Sequence, residues 1–275
     1  YSPATRGLDI SATRTSLHVS RSHPREMSRH MGPCHAAPAS LLPLALLVWS
    51  SVGVSDCAPT ETAPALHIFD GATMGTTYAV RVVTADTWDQ PRRDRIRDLI
   101  QAALDDVESK MSHYRSSSEL SRFNQTRATA PFPVSAETFD VIRHAYQLSE
   151  LTGGALDVTV APLVNAWGFG PVEPEILPPD AALLARLRDH VGYRKLELDP
   201  GASTLRKTDP EIECDLSAVA KGYGVDQVAE VLREEGVTRF MVEVGGEIVA
   251  VGLNQQGGPW RIAIERPVMA GGVQR

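Results

Sequence analysis

Asp215-Leu216-Ser217-Ala218-Val219-Ala220-Lys221-Gly222-Tyr223-Gly224 follows a short alternating segment, Ile212-Glu213-Cys214, and runs into apolar residues at Val225, Val228, Ala229 and Leu232. The change of apolar period predicts a strand entering a helix, with Asp215 or Ser217 as the cap. A helix start offers free backbone N–H groups and the positive end of a dipole, so the junction suits a phosphate. At helical spacing Asp215 and Ala218 share a face, and Lys221 follows one turn later. A carboxylate and an ammonium so placed can hold opposite ends of a polar ligand. The same residues also make an ordinary helix start, with a capping Asp, a solvated Lys and glycines that relieve packing. Both readings stand on this stretch alone.

Such a junction needs a core around it. The 275 residues, 43% hydrophobic, suffice for one large or two small domains. The formal net charge of −7 is uneven, with +2 on residues 1–56 and −9 on the rest. An acidic body argues against a partner with a phosphate backbone, so no nucleic acid is expected. Residues 1–30 begin with Tyr1, carry Ser, Thr and Arg without apolar period, and read as a disordered or mis-assigned extension, with Met27 or Met31 a more sensible start. Residues 31–57 read as an export signal: Arg29 and His30 precede an apolar stretch from Ala36 to Val54 that ends at Asp56-Cys57. Cys57 stands where a lipoprotein is lipidated, although Asp56 replaces the usual small residue. Pro38 and Pro43 shorten the run below a comfortable membrane span. The expectation is an exported, lipid-anchored protein on the periplasmic side of the inner membrane, with a soluble periplasmic form as the alternative. Residues 58–65 read as a tether and 66–275 as the functional domain. Only Cys214 remains in that domain, so no structural disulfide is implied, and a buried strand thiol is the simplest reading.

Along the body, Thr77–Val83 alternates and is β-branched, which predicts a strand reached through Thr73-Met74-Gly75-Thr76. Asp89 and Pro91 open a helix with Ile96, Leu99, Ile100, Ala103, Leu104, Val107 and Met111 at helical spacing. Ser116 to Asn124 reads as part of a long polar loop. Ser135 caps a second helix that Gly153-Gly154 stops, and Asp180 begins a third after a linker from Pro171 to Pro179. Short strands are expected around 195–198, 204–207 and 211–214, then a hairpin of Phe240–Val244 and Glu247–Val251 across Gly245-Gly246. Trp260–Glu265 alternates like one more strand. Helices interspersed with hairpins predict an α+β fold with a mostly antiparallel or mixed sheet.

Five stretches stand in order: Met74-Gly75-Thr76-Thr77; Met111-Ser112-His113-Tyr114-Arg115 with Glu119-Leu120-Ser121-Arg122-Phe123-Asn124; Gly154 to Gly170; Asp215 to Tyr223; and Glu243-Val244-Gly245-Gly246-Glu247. Together they closely resemble the ApbE family of FAD:protein FMN transferases, over about residues 68 to 267. The resemblance implies a Mg²⁺-dependent enzyme that splits FAD, places FMN on a Thr hydroxyl of a target protein and releases AMP. Flavin-accepting subunits of membrane redox complexes are the implied partners. Residue by residue, it implies Met74 beside the flavin, Tyr114 on the flavin pocket, and Ala155, Leu156 and Asp157 lining the FAD site. Asp215 and Lys221 would contact FAD, and Ala218 would offer its backbone carbonyl to Mg²⁺. No catalytic residue is assigned. Taken singly, Met74 and Tyr114 are packing residues, Asp157 a turn carboxylate and Lys221 a solvated lysine.

The family pattern continues past Trp260 into a His/Asp-Pro/Thr-Gly segment and an Asp- and Thr-bearing helix that completes the metal site. This sequence ends at Arg275 without them. The expectation is therefore a domain incomplete at its carboxyl end, poorly active as it stands. Two other functions remain open: FAD binding or scavenging without turnover, and hydrolysis of FAD to FMN and AMP.

Overall fold

A computed structural model describes residues 63–171 and 178–264. The extension, the export signal, Cys57 and most of the Pro171–Pro179 linker lie outside the described residues. Among the described residues, two antiparallel sheets and six α-helices form the α+β architecture. The larger sheet has the order β1-β2-β6-β7, built from Ala65–Thr73, Thr76–Thr84, Phe240–Val244 and Glu247–Val251. The smaller has the order β3-β5-β4, from Phe132–Pro133, Thr204–Lys207 and Leu196–Asp199.

Two long helices cover the larger sheet. α1 (Gln90–Met111) starts where Asp89 accepts from the Arg92 N–H at 3.0 Å, and it buries Ile96, Ile100, Leu104, Val107 and Met111 on one stripe. α6 (Ser217–Glu234) buries Gly224, Val225, Val228, Ala229 and Leu232. At about 1.5–3 kcal/mol per large apolar side chain, these stripes rather than helix propensity hold the layer together. A second core gathers under α3 (Ala136–Leu151), with Phe139, Ile142, Leu120, Phe123, Leu205 and Cys214. Met74, in the turn between β1 and β2, packs against both cores.

Four sequence expectations need correction. The stretch read as a loop contains α2 (Glu119–Gln125), because Ser118 caps it at 2.9 Å from Ser121 N and Leu120 and Phe123 bury on one side. β1 was not anticipated, since Asp70 and Gly71 interrupt its alternation. Residues 211–214 make only an isolated parallel bridge, Val160 to Glu213. Cys214 instead gives its N–H to Asn124 Oδ1 at 2.7 Å and takes Asn124 Nδ2–H at 2.8 Å, so one side chain replaces a neighbouring strand. Residues 260–264 form no strand; the Trp260 indole is spent on the Val251 carbonyl at 3.1 Å. Two further short helices, α4 (Ala161–Ala166) and α5 (Ala181–Arg188), complete the described chain. No described helix is long and apolar enough to cross a membrane.

Candidate active site

The β1–β2 turn, the end of α1 with residues 112–115, and the first turns of α6 enclose a cavity of about 770 Å³. Met74, Glu108, His113, Tyr114, Ser217 and Lys221 are among its walls. That volume lies in the usual range of about 300–1,000 Å³ for cofactor and small-molecule sites. Three stretches distant in sequence thus meet around one space.

Met74 and Gly75 form the two-residue turn, with φ of 48° and 69°. The Met74 side chain is seated by Gly224, where a Cβ would come within 2.7 Å of its methyl carbon. Its N–H donates to Glu108 Oε1, and the Thr73 hydroxyl donates to the same oxygen at 3.4 Å. Glu108 and His113 carried no role in the sequence reading. A signal existed for Glu108: it stands four residues after Leu104 on the apolar stripe of α1, where a carboxylate is out of place.

The start of α6 differs from the expected cap. Leu216 is the capping position and offers no side chain, while Asp215 Oδ1 accepts from the Ser217 N–H at 2.7 Å. Asp215 precedes the helix, so helical spacing does not put it on one face with Ala218. The Asp215 side chain is buried, with His113 Nδ1 3.3 Å away. His113 Nε2 is buried without a protein partner. Tyr114 tilts against the His113 ring at 4.2 Å, and its hydroxyl donates to the Phe169 carbonyl at 2.6 Å, leaving the ring 60% exposed at the rim.

Lys221 reaches over the second hairpin turn. Its ammonium donates to the Gly245 carbonyl at 3.1 Å and pairs with Glu247 Oε1 at 3.0 Å. Both partners are partly exposed, so the pair contributes about 1 kcal/mol or less and an anionic ligand can recruit the ammonium. Gly245 permits this approach: a Cβ there would stand 2.7 Å from Thr76 and 3.1 Å from Lys221.

The other expected residues lie elsewhere. Asp157 turns into the protein, accepting from Thr159 N at 2.8 Å, from the Thr159 hydroxyl at 2.6 Å and from Tyr193 N at 2.8 Å. Its segment reaches the site through the backbone, since Asp215 N donates to Val158 O at 2.7 Å. Ala155 is exposed and Leu156 half-buried, and neither lines the cavity. Ala218 lines a separate cavity of about 550 Å³, shared with His144, Asp226 and Glu247. Among the described residues, no three carboxylate, histidine or cysteine side chains gather as a metal site. The described donors therefore do not by themselves fit the Mg²⁺ site that the resemblance implies. Cys214 is no nucleophile here, because complete burial pushes its thiol up to about 12.

The chain is similar to several known proteins. A FAD:protein FMN transferase of Vibrio cholerae is 47% identical over 211 residues, covering 75% of this chain and 60% of the relative. One of Haemophilus influenzae, with the same name, is 46% identical over 204 residues, covering 73% of this chain and 59% of its own length. The chain thus spans about three-fifths of the length of these relatives. A solved structure described as flavin transferase ApbE from Vibrio cholerae superposes with a TM-score of 0.70 at 43% identity, covering 77% of this chain and 67% of that one. The sequence model of the ApbE family matches residues 74–274, and with these relatives it places the chain in the ApbE family.

Proposed function

We propose that this protein binds FAD in the cavity between the β1–β2 turn and α6 and transfers its FMN moiety to a Thr hydroxyl of a target protein, releasing AMP. The observation that carries the reading is the convergence of Met74, Tyr114 and Lys221, from three separated motifs, on one cavity. The names of the relatives support the same activity.

The residues divide the work by their chemistry. Met74, Met111 and Tyr114 offer apolar and aromatic surface for a flat ring. Lys221, whose partly exposed ion pair with Glu247 can exchange partners, favours phosphate. The buried Asp215 carboxylate accepts N–H or O–H groups and would repel a phosphate, so it suits a neutral part of the ligand. Mg²⁺ belongs to the proposal as the family's expected aid to charge neutralisation on the pyrophosphate. The described side chains do not complete its site, and no step is drawn through it. Flavin-carrying subunits of membrane redox complexes are the proposed acceptors.

The test is incubation with FAD, Mg²⁺ and a Thr-bearing acceptor, read by intact mass and by AMP release. The expected result is an FMN-sized increment with matching AMP. AMP without an increment would indicate hydrolysis, and tight FAD binding with neither product would indicate a flavin-holding protein. Failure to bind FAD at all would sink the reading.

A further inference from the structure

The β1–β2 hairpin breaks the rule for its own turn. A two-residue hairpin loop with positive φ at both positions is filled best by Asn-Gly or Gly-Gly. Here the first position holds Met74 at φ 48°, a conformation that is strained for a residue with a Cβ. The strand ladder closes at the Thr73–Thr76 pair, so the Met74 N–H lies outside it. It donates instead to Glu108 Oε1, which also takes the Thr73 hydroxyl at 3.4 Å. At the other end of the residue, the side chain occupies the hollow left by Gly224 and touches both cores. Glu108 itself belongs to the cavity wall.

From this geometry we infer that Glu108 is a positioning residue: its carboxylate pins the backbone of Met74 in the left-handed turn, so that a thioether faces the ligand where the turn alone would select Asn or Gly. Glu108 acts through Met74. The carboxylate is a strong acceptor for a turn amide because it is charged, and its own position is fixed by Leu104 and Val107 packing on α1. The affinity readout below rests on the flavin reading; the exchange readout does not.

The experiment is a double-mutant cycle on the full chain, using FAD as probe and flavin fluorescence as signal. Glu108→Ala should weaken FAD binding roughly tenfold, and Glu108→Gln, which keeps the acceptor oxygen, should stay within about threefold of the parent. In a Met74→Gly background, where no side chain remains to be presented, Glu108→Ala should change affinity less than about twofold. A purely structural role would carry the same cost into both backgrounds. Equal cost in both backgrounds would mean direct contact with the ligand or general damage, and would overturn the inference. So would parent-like binding by Glu108→Ala.

If the parent chain does not bind FAD, the functional reading falls and amide exchange decides this one. Slow exchange at Met74, lost in Glu108→Ala and kept in Glu108→Gln, would uphold the pin. Fast exchange in the parent would overturn it.

Discussion

The two hairpin turns of the larger sheet have nearly the same backbone and opposite chemistry. Met74-Gly75 has φ of 48° and 69°, and Gly245-Gly246 has 54° and 96°. Each gives an N–H to a glutamate: Met74 to Glu108, and Gly246 to Glu243 Oε1 at 2.7 Å. The second turn uses the residues its conformation favours, and it must, because any Cβ at Gly245 would strike Thr76 and crowd Lys221. The first accepts a residue its conformation disfavours, and that residue lines the cavity. A local rule kept on one side of a site and broken on the other marks where packing ends and ligand presentation begins.

The comparison can be broken most sharply by adding one methyl group to each turn. Gly245→Ala combines a left-handed backbone with a 2.7 Å clash and should lose about 3 kcal/mol in urea unfolding. Gly75→Ala has the same backbone problem but nothing within 4 Å of the new methyl, so about 1 kcal/mol is expected. Equal losses would show that the close approach at Gly245 is unimportant.

Restoring the favoured residue to the first turn tests both roles of Met74. Met74→Asn relieves the turn but forfeits the packing of Met74 against both cores, so stability should fall by roughly 1 kcal/mol while FAD binding weakens by about tenfold in the same fluorescence titration. A variant that kept its affinity would remove Met74 from the site.

The smallest effect concerns Tyr78, which pairs with Gly71 on one hairpin and Val244 on the other and so stands between the turns. Burial raises its hydroxyl above the ordinary 10.0, with the Asp70 carboxylate adding to the shift. A folded value above the unfolded one contributes stability that is complete below about pH 10 and is lost as pH climbs through the folded value. Tyr78→Phe should flatten that alkaline decline in a melting-temperature profile, with a neutral-pH loss of about 1 kcal/mol or less from the 3.2 Å bond to Gln101. An unchanged alkaline slope would refute the assignment.

The elements read correctly from sequence were those whose signals are local. α1, α3 and α6 show long helical periods, and β6–β7 shows two alternating runs around Gly245-Gly246. β1 was missed because Asp70 and Gly71 interrupt it. α2 was missed because its seven residues carry only two strong apolar anchors, Leu120 and Phe123. Of the expected site residues, Met74, Tyr114 and Lys221 line the cavity and Asp215 lies buried beside His113. Ala155, Leu156 and Asp157 are held in a neighbouring loop, and Ala218 opens to a different cavity.

The sequence by itself determined the α+β class, the main helices and the β6–β7 hairpin, because periodicity and turn chemistry act between residues close in the chain. Motif resemblance also determined the family. Tertiary structure alone decided who satisfies whom. Asn124 stands in for a strand beside Cys214, Glu108 holds Met74 from 34 residues away, and Asp157 spends itself on backbone N–H groups. A polar group leaving water takes whichever partner the packed fold brings near, and chain order does not specify that neighbour.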